Sequence, residues 1–325
     1  MIKLFIAFAA DALFGDPCWL YHPVRIIGKW ISLMEKFLRK HFPKTSEGEQ
    51  MAGVFLVVLT VIPAFFLPWL LLWILSMVPV AGAAAALVLD IFWMYQILAM
   101  GCLKTETLKV YAALKNKDMD DARLKLSWLV GRDTASLSEE EIVKATVETI
   151  AENTTDGVAA PMLFMAAGLF LMPFGAPLGF AYKAVNTLDS MVGYRNETYI
   201  HFGWCSAKTD DILNFVPARL SGVLMTAAAY LAGYDGKSAW KCFKRDRLAH
   251  LSPNSAQTES ACAGAFGIQL GGTHDYFGKP VQKPTLGDNC RPAEAKHIKS
   301  AVHLMYITSL LCFVFADVLL FIKLL

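Results

Sequence analysis

Residues 51–75 carry no charged side chain, and this run restricts the chain more than any other feature. A helix of that length rises about 37 Å, enough to cross a hydrocarbon core of about 30 Å. Pro63 and Pro68 lie inside it and predict kinks, which membrane helices tolerate. Residues 76–79 make a short turn. Residues 80–103 supply a second apolar run, broken only by Asp90, and the two runs are expected to form a transmembrane hairpin. A third expected span covers residues 301–325, with Asp317 inside it and Lys323 near its end. Residues 158–181 hold Pro161, Pro173, Gly175, Pro177 and Gly179, and residues 215–233 hold Pro217 and Arg219. Both are read as spanning or re-entrant.

The distribution of apolar residues matters more than their total, which is 55% against 18% charged. The expected class is therefore all-α: a polytopic membrane helical protein with re-entrant or broken helices and a cytoplasmic polar face. Residues 1–325 form one membrane-embedded domain, with 104–157 and 234–300 mainly cytoplasmic. Orientation follows from Lys29, Lys36, Arg39, Lys40 and Lys44 before the first span and Lys104, Lys109, Lys115 and Lys117 after the second, with no cation in the turn between them. The positive-inside rule puts both flanks in the cytoplasm. The first ten residues have the outline of a short signal peptide and are expected to be retained.

A net charge of +2, with no basic stripe interleaved with aromatics, argues against a nucleic-acid partner. The seven cysteines are dispersed without a Cys-x-x-Cys pair, which fits reduced thiols rather than a disulfide framework or a zinc site. Gly236-Lys237-Ser238 resembles the end of a P-loop, but Leu231 occupies the position of its earlier glycine.

Polar chemistry gathers in four stretches. Asp11 to Arg25 holds Asp16, His22 and Arg25 among Gly15, Pro17 and Pro23, and reads either as a site or as a capped turn. Ser138-Glu139-Glu140-Glu141 is a capping box that starts a helix running to about Asn153. On that helix Glu148, Glu152 and Asp156 recur every four residues, so one face would carry three repelling carboxylates unless a cation sits among them. Hard cations such as Mg²⁺ take carboxylate oxygens, with phosphate and water completing the shell. The plainer alternative is a solvated acidic face. Lys183, Asn186, Thr187 and Asp189 share another helix face, where Lys suits phosphate and Asn and Asp suit a metal. The fourth stretch runs from Lys244 and Arg245 through His250, Asn254 and Glu259 to Gly272. It suits phosphate or carboxylate, or else an anchor on anionic lipid.

Taken in order, these motifs resemble the adenosylcobinamide-phosphate synthase family of cobalamin biosynthesis. The likeness rests on Gly15-Asp16-Pro17 with His22-Pro23-Val24, on Val130-Gly131-Arg132-Asp133-Thr134, and on Glu148-Thr149-Ile150-Ala151-Glu152-Asn153. Farther along it rests on Tyr182-Lys183 through Arg195-Asn196, Phe202-Gly203-Trp204, Val216-Pro217-Ala218-Arg219 and Ser252-Pro253-Asn254. The resemblance implies an integral membrane enzyme that joins adenosylcobyric acid to (R)-1-amino-2-propanol or its O-phosphate through an ATP-driven amide bond. Its surroundings would be the lipid bilayer of the cell membrane, crossed several times, and other corrinoid-assembly membrane enzymes.

That chemistry distributes roles over the motifs. Glu148, Glu152, Asp156 and Asp189 are expected to hold Mg²⁺. Arg25, Arg132, Lys183, Asn186, Arg195, Arg245 and Asn254 are expected to bind substrate or phosphate. Asp16 and His22, with Glu152 and Asp189, are the expected catalytic groups. Two rivals use the same residues: a non-catalytic corrinoid transporter or binding component, and a membrane phosphotransferase.

Overall fold

A computed structural model of the chain describes residues 1–17, 19–276 and 278–323. Cys18 and the last two positions of the expected C-terminal span, Leu324 and Leu325, lie outside the described residues. In chain order the elements are α1 (Ile2–Phe14), α2 (Pro23–His41), α3 (Ser46–Ser76), α4 (Gly82–Ile97), α5 (Met100–Lys115), α6 (Met119–Ser127) and α7 (Glu139–Asn153). A π-helical turn (Thr154–Ala159) leads into α8 (Ala160–Leu171), followed by α9 (Ala176–Val192), α10 (Trp204–Leu213), α11 (Phe215–Leu231), α12 (Gly236–Asp246) and α13 (Ser255–Phe266). A hairpin of β1 (Leu270–Tyr276) and β2 (Lys279–Leu286) precedes α14 (Lys296–Ile322). The all-α class expected from the sequence is the class observed. Among the described residues, four helices are long and apolar enough to cross a membrane, or five if the bent pair Trp204–Leu213 and Phe215–Leu231 counts as one.

The chain divides into two compact units. The first holds Met1–Leu98, Ala160–Asn214 and the end of α14 from Phe315. Its longest helix, α3, is capped by Thr45, whose hydroxyl accepts the Gly48 N–H at 3.2 Å. Only 17% of its most apolar stretch is buried by protein, so most of that surface is left for lipid. The remainder packs Ala52, Leu56 and Val57 against Ile31 and Leu38 of α2, Leu188 and Val192 of α9, and Phe202. Lipid is as apolar as leucine, so helices in it associate through close packing, and small residues allow it. Gly53 shows this: a Cβ there would lie 2.0 Å from the Phe202 carbonyl oxygen.

Asp90, the one charge in the second apolar run, is fully buried. It accepts Lys3 Nζ at 2.9 Å and the N–H groups of Gly175 and Ala176 at 3.1 and 3.0 Å. It therefore caps α9 with a side chain from α4, and its charge is met both by an ammonium and by the positive end of a helix. The run 80–103 is not one helix. Leu98 adopts an extended conformation between α4 and α5. Residues 158–181 are likewise divided, between α8 and α9, by the turn at residues 172–175.

The second unit holds Ala99–Ala159 and Phe215–Val314. The capping box at Ser138 and Glu141 is present and starts α7 as expected. All twelve residues of α13 are buried. The helix is built from Ser, Ala, Gly and Thr with few large side chains, which lets α11 and α12 approach it closely. Gly267 ends it in the left-handed conformation at φ 64°, as helix C-termini favour. Residues 237–299 are thus far more regular than their Gly, Pro and Asn content suggests. The hairpin is the departure from an otherwise helical chain. Its β2 strand contains Pro280 and Pro284, which a two-stranded sheet tolerates because both strands are edges. A bulge between Gly271 and Gly272 is carried at φ 76° and 103°.

Gly53→Val is expected to destabilise the protein by about 2–4 kcal/mol, because backbone must move to admit the side chain. Gly28→Ala on α2, where a Cβ meets only Met191 Sδ at 3.5 Å, should be neutral or stabilising. Thermal unfolding of both variants in one detergent checks the contrast.

Candidate active site

Glu148 and Glu152 stand one turn apart on α7 and face the interior of the second unit. Around them converge the loop that carries Arg132, the segment before α13, α13 itself and the glycine bulge of the hairpin. Between these elements lies a cavity of about 130 Å³. Its polar lining is Arg132, Glu148, Thr149, Glu152, Asn153, His250, Glu259, Tyr276 and Lys283.

Glu148 is buried and fully committed. One oxygen accepts the Nη2–H of Arg132, itself buried, and the other accepts the Gly271 N–H at 2.7 Å. The bulge at Gly271 aims that N–H out of the strand ladder and into the site, as bulges beside active sites do. Arg132 is not saturated in return: its Nε and Nη1 are buried and have no hydrogen-bond partner among the described residues. Glu152 accepts the Ser255 hydroxyl at 2.8 Å, which ties α7 to the first residue of α13.

Three carboxyl groups and two permanent cations line this one cavity, and the balance shows in their protonation. Burial, together with the charges of Glu152 and Glu148, holds the Glu259 carboxyl well above the usual carboxylate range. Burial and the nearby Lys283 lower the His250 imidazole below its ordinary value. His250 Nδ1 accepts the Ser252 N–H at 3.0 Å, so a neutral ring carries its proton on Nε2. Burial opposes the charge on Lys283, but Tyr276, Glu259 and Glu152 hold its ammonium above the ordinary range.

The residues expected from sequence fall into two groups, one in each unit. In the second unit, Arg132, Glu148 and Glu152 meet at the cavity. Asn254 sits just before α13 and accepts Arg219 Nη1 at 3.3 Å. Arg245 lies outside the lining and is engaged by Asp246 and Asp288, each at 2.7 Å. Asp156 does not continue the row of Glu148 and Glu152. The helix widens to a π-turn after Asn153, so a spacing of four no longer keeps one face.

In the first unit, His22 Nδ1 accepts the Val24 N–H at 3.2 Å and so caps α2. His22 Nε2 lies 3.9 Å from Asp16, and burial and the Lys183 charge lower the imidazole pKa against the pull of Asp16. Arg25 stacks over Tyr21 at 5.0 Å. Lys183, Asn186 and Asp189 belong to α9. Asp189 lies near its end, over Gly193, where a Cβ would meet the carboxylate at 2.0 Å. Arg195 follows in an exposed turn.

Among the described residues, no three or more His, Cys, Asp or Glu side chains form a group that could hold a metal ion. The expected set of Glu148, Glu152, Asp156 and Asp189 is therefore not assembled as a cage. Glu148 takes an arginine instead, and the π-turn displaces Asp156. Tyr276 and Lys283 had no motif to mark them. His250 and Glu259 stood in the fourth polar stretch without a role, because nothing in their spacing tied them to α7.

Two outcomes follow from this geometry. Glu148→Ala is expected to cost about 3–5 kcal/mol, since it leaves a buried guanidinium uncompensated, and Arg132→Met with Glu148→Leu should recover much of that loss. Unfolding in detergent measures both. A carboxyl whose folded pKa is raised stabilises the protein below its ordinary pKa of 4.5, and that stability is lost as pH rises through the folded value. Wild-type melting temperature should therefore fall relative to Glu259→Gln from about pH 5 upward. A difference between the two proteins that stays constant from about pH 4 upward contradicts this.

The CobD/Cbib protein family model matches residues 4–305. A curated relative, "Cobalamin biosynthesis protein CobD" of Geobacter metallireducens, is 51% identical over 297 residues, covering 91% of this chain and 89% of that one. Proteins of the same name from Clostridium tetani and Listeria monocytogenes are each 44% identical, over 94% and 97% of this chain and 93% and 97% of their own lengths. No solved structure matches the chain. With likeness running nearly end to end and the cavity residues inside the matched region, the chain belongs to the CobD/Cbib family of cobalamin biosynthesis.

Proposed function

We propose that the protein is an ATP-dependent amide-forming ligase, a multi-pass enzyme of the cell membrane. It joins the carboxyl group of adenosylcobyric acid to (R)-1-amino-2-propanol or its O-phosphate, giving adenosylcobinamide or its phosphate. The observation that carries this reading is the buried guanidinium of Arg132 beside the cavity, with two nitrogens that have no partner among the described residues. An unsatisfied buried donor costs about 1–3 kcal/mol, a penalty that an anionic ligand removes. The cavity accepts a phosphoryl group or a carboxyl end but not a corrin ring, so it suits the reacting end of the substrate.

Joining a carboxylate to an amine needs an activated acyl group. The carboxylate oxygen attacks the terminal phosphorus of ATP and ADP leaves. The amine nitrogen then attacks the acyl carbon, phosphate departs, and the nitrogen gives up a proton. Arg132 and Lys283 supply fixed positive charge to the phosphoryl oxygens, and His250 Nε2–H is a further donor to them. Glu259, as the carboxylate, takes the proton that the arriving ammonium must lose, and its raised pKa makes it a stronger base than an ordinary carboxylate. Mg²⁺ usually takes one or two carboxylates and completes its shell with substrate phosphates and water. Glu152, whose hydrogen-bond partner among the described residues is a serine hydroxyl, fits that lesser role, and the ion would add charge neutralisation at the transferring phosphoryl group. The Asp16–His22–Lys183 group is assigned to substrate handling. Association with other corrinoid-assembly enzymes belongs to the same reading.

Purified protein given corrinoid acid, either amine form, and ATP with Mg²⁺ should yield the amide by mass spectrometry, and none without ATP. Retention of corrinoid with no product would point to a carrier, and loss of phosphate with no amide to a phosphotransferase. Glu152→Gln should lower turnover by about a hundredfold or more while the protein stays in the membrane. Near-normal turnover would remove Glu152 from the site.

A further inference from the structure

The elbow where α2 turns into α3 takes no part in the chemistry above, yet it is built around a cavity of about 440 Å³. Its floor is apolar: Phe42, Pro43, Ala52 and Phe202. Its walls are Arg39, Lys40 and Lys44, with Glu49 as the one carboxylate. Arg39 is already engaged, by Glu35 at 2.9 Å and Glu49 at 3.3 Å, and its guanidinium lies 4.1 Å from the centre of the Phe202 ring. Lys40 and Lys44 are exposed and form no ion pair among the described residues. Glu47, the other acid of the turn, does not line the cavity. Two uncompensated ammonium groups therefore face a pocket whose base is hydrocarbon.

The surroundings say what kind of molecule has that polarity. The elbow stands where the charge-free run of α3 begins. The Phe42 ring meets Phe55 at 5.5 Å, and Phe55, Val58, Leu59 and Ile62 continue along α3 as exposed apolar residues. The pocket is thus continuous with a surface that protein does not cover. A ligand with an anionic head and an attached apolar tail matches the cations and the α3 face together, whereas a soluble anion matches the cations alone. We infer that the α2–α3 elbow binds the headgroup of an anionic phospholipid, with its phosphate between Lys40 and Lys44 and its acyl chains along α3. Cations placed just outside a span are drawn to anionic headgroups. The site is independent of the ligase reading and does not depend on it.

Native mass spectrometry of the full chain, exchanged from mixed phosphatidylglycerol and phosphatidylcholine into detergent, tests this. Wild-type protein should retain phosphatidylglycerol in preference to phosphatidylcholine. Lys40→Gln with Lys44→Gln should lower that retention by about tenfold or more. Lys29→Gln, which removes one charge about three turns away on the same helix, should leave it unchanged. Equal retention by the double variant and wild type overturns the proposal, as does equal retention of the two lipids. Displacement of the lipid by millimolar glycerol phosphate would assign the pocket to a soluble anion and overturn the lipid assignment.

Discussion

A charge on a helix that crosses hydrocarbon has to find its counter-group within the protein, because lipid offers none. Asp90 and Glu148, each on a candidate membrane-crossing helix, meet this constraint in the same way. Each carboxylate takes one cation and backbone N–H groups from a distant segment. Asp90 draws on Lys3, 87 positions away in sequence, and on the N-terminus of α9, 85 positions away. Glu148 draws on Arg132 and on Gly271, 123 positions away. These pairings tie early and late parts of the chain together, and the helices around them are arranged to deliver the partners. Removing either carboxylate leaves more than one group unmatched.

The two clusters differ in their surplus. Lys3 also donates to the Pro173 carbonyl at 2.7 Å, so the Asp90 cluster is closed. The Arg132 cluster is open: among the described residues two of its guanidinium nitrogens have no partner, and burial raises the pKa of the Glu259 carboxyl in the same cavity. A fold that satisfies Asp90 so thoroughly could have satisfied Arg132 as well. Buried donors left open beside a cavity are where an anionic ligand gains most, and the proposed function rests on that.

Much of this was legible in residue order, and the gaps have physical causes. The charge-free run, the capping box at Ser138 and the pairing of Glu148 with Glu152 on one face all follow from helical geometry, and all three hold. Asp156 fails because the regular period ends at the π-turn, which has no reliable sequence signature. The break at Leu98 is invisible because no Gly or Pro lies within two residues of it. The helix α13 hides for the opposite reason: buried on every side, it shows no polar-apolar period. Lys283 and Tyr276 lie on strands whose prolines and glycines argue for loop, and only the hairpin register carries them to the cavity.

The Asp90 cluster also bears on how the protein is made. Its members emerge from the ribosome in a fixed order: the ammonium of Lys3 first, the carboxylate within α4 next, and the backbone donors of Gly175 and Ala176 only some 85 residues later. In that order the acid of α4 has its counter-ion available as soon as it is made. The cap from α9 then closes a pair formed earlier. The ion pair between α1 and α4 therefore draws only on the first four helices, and every later segment joins a charge that is already matched.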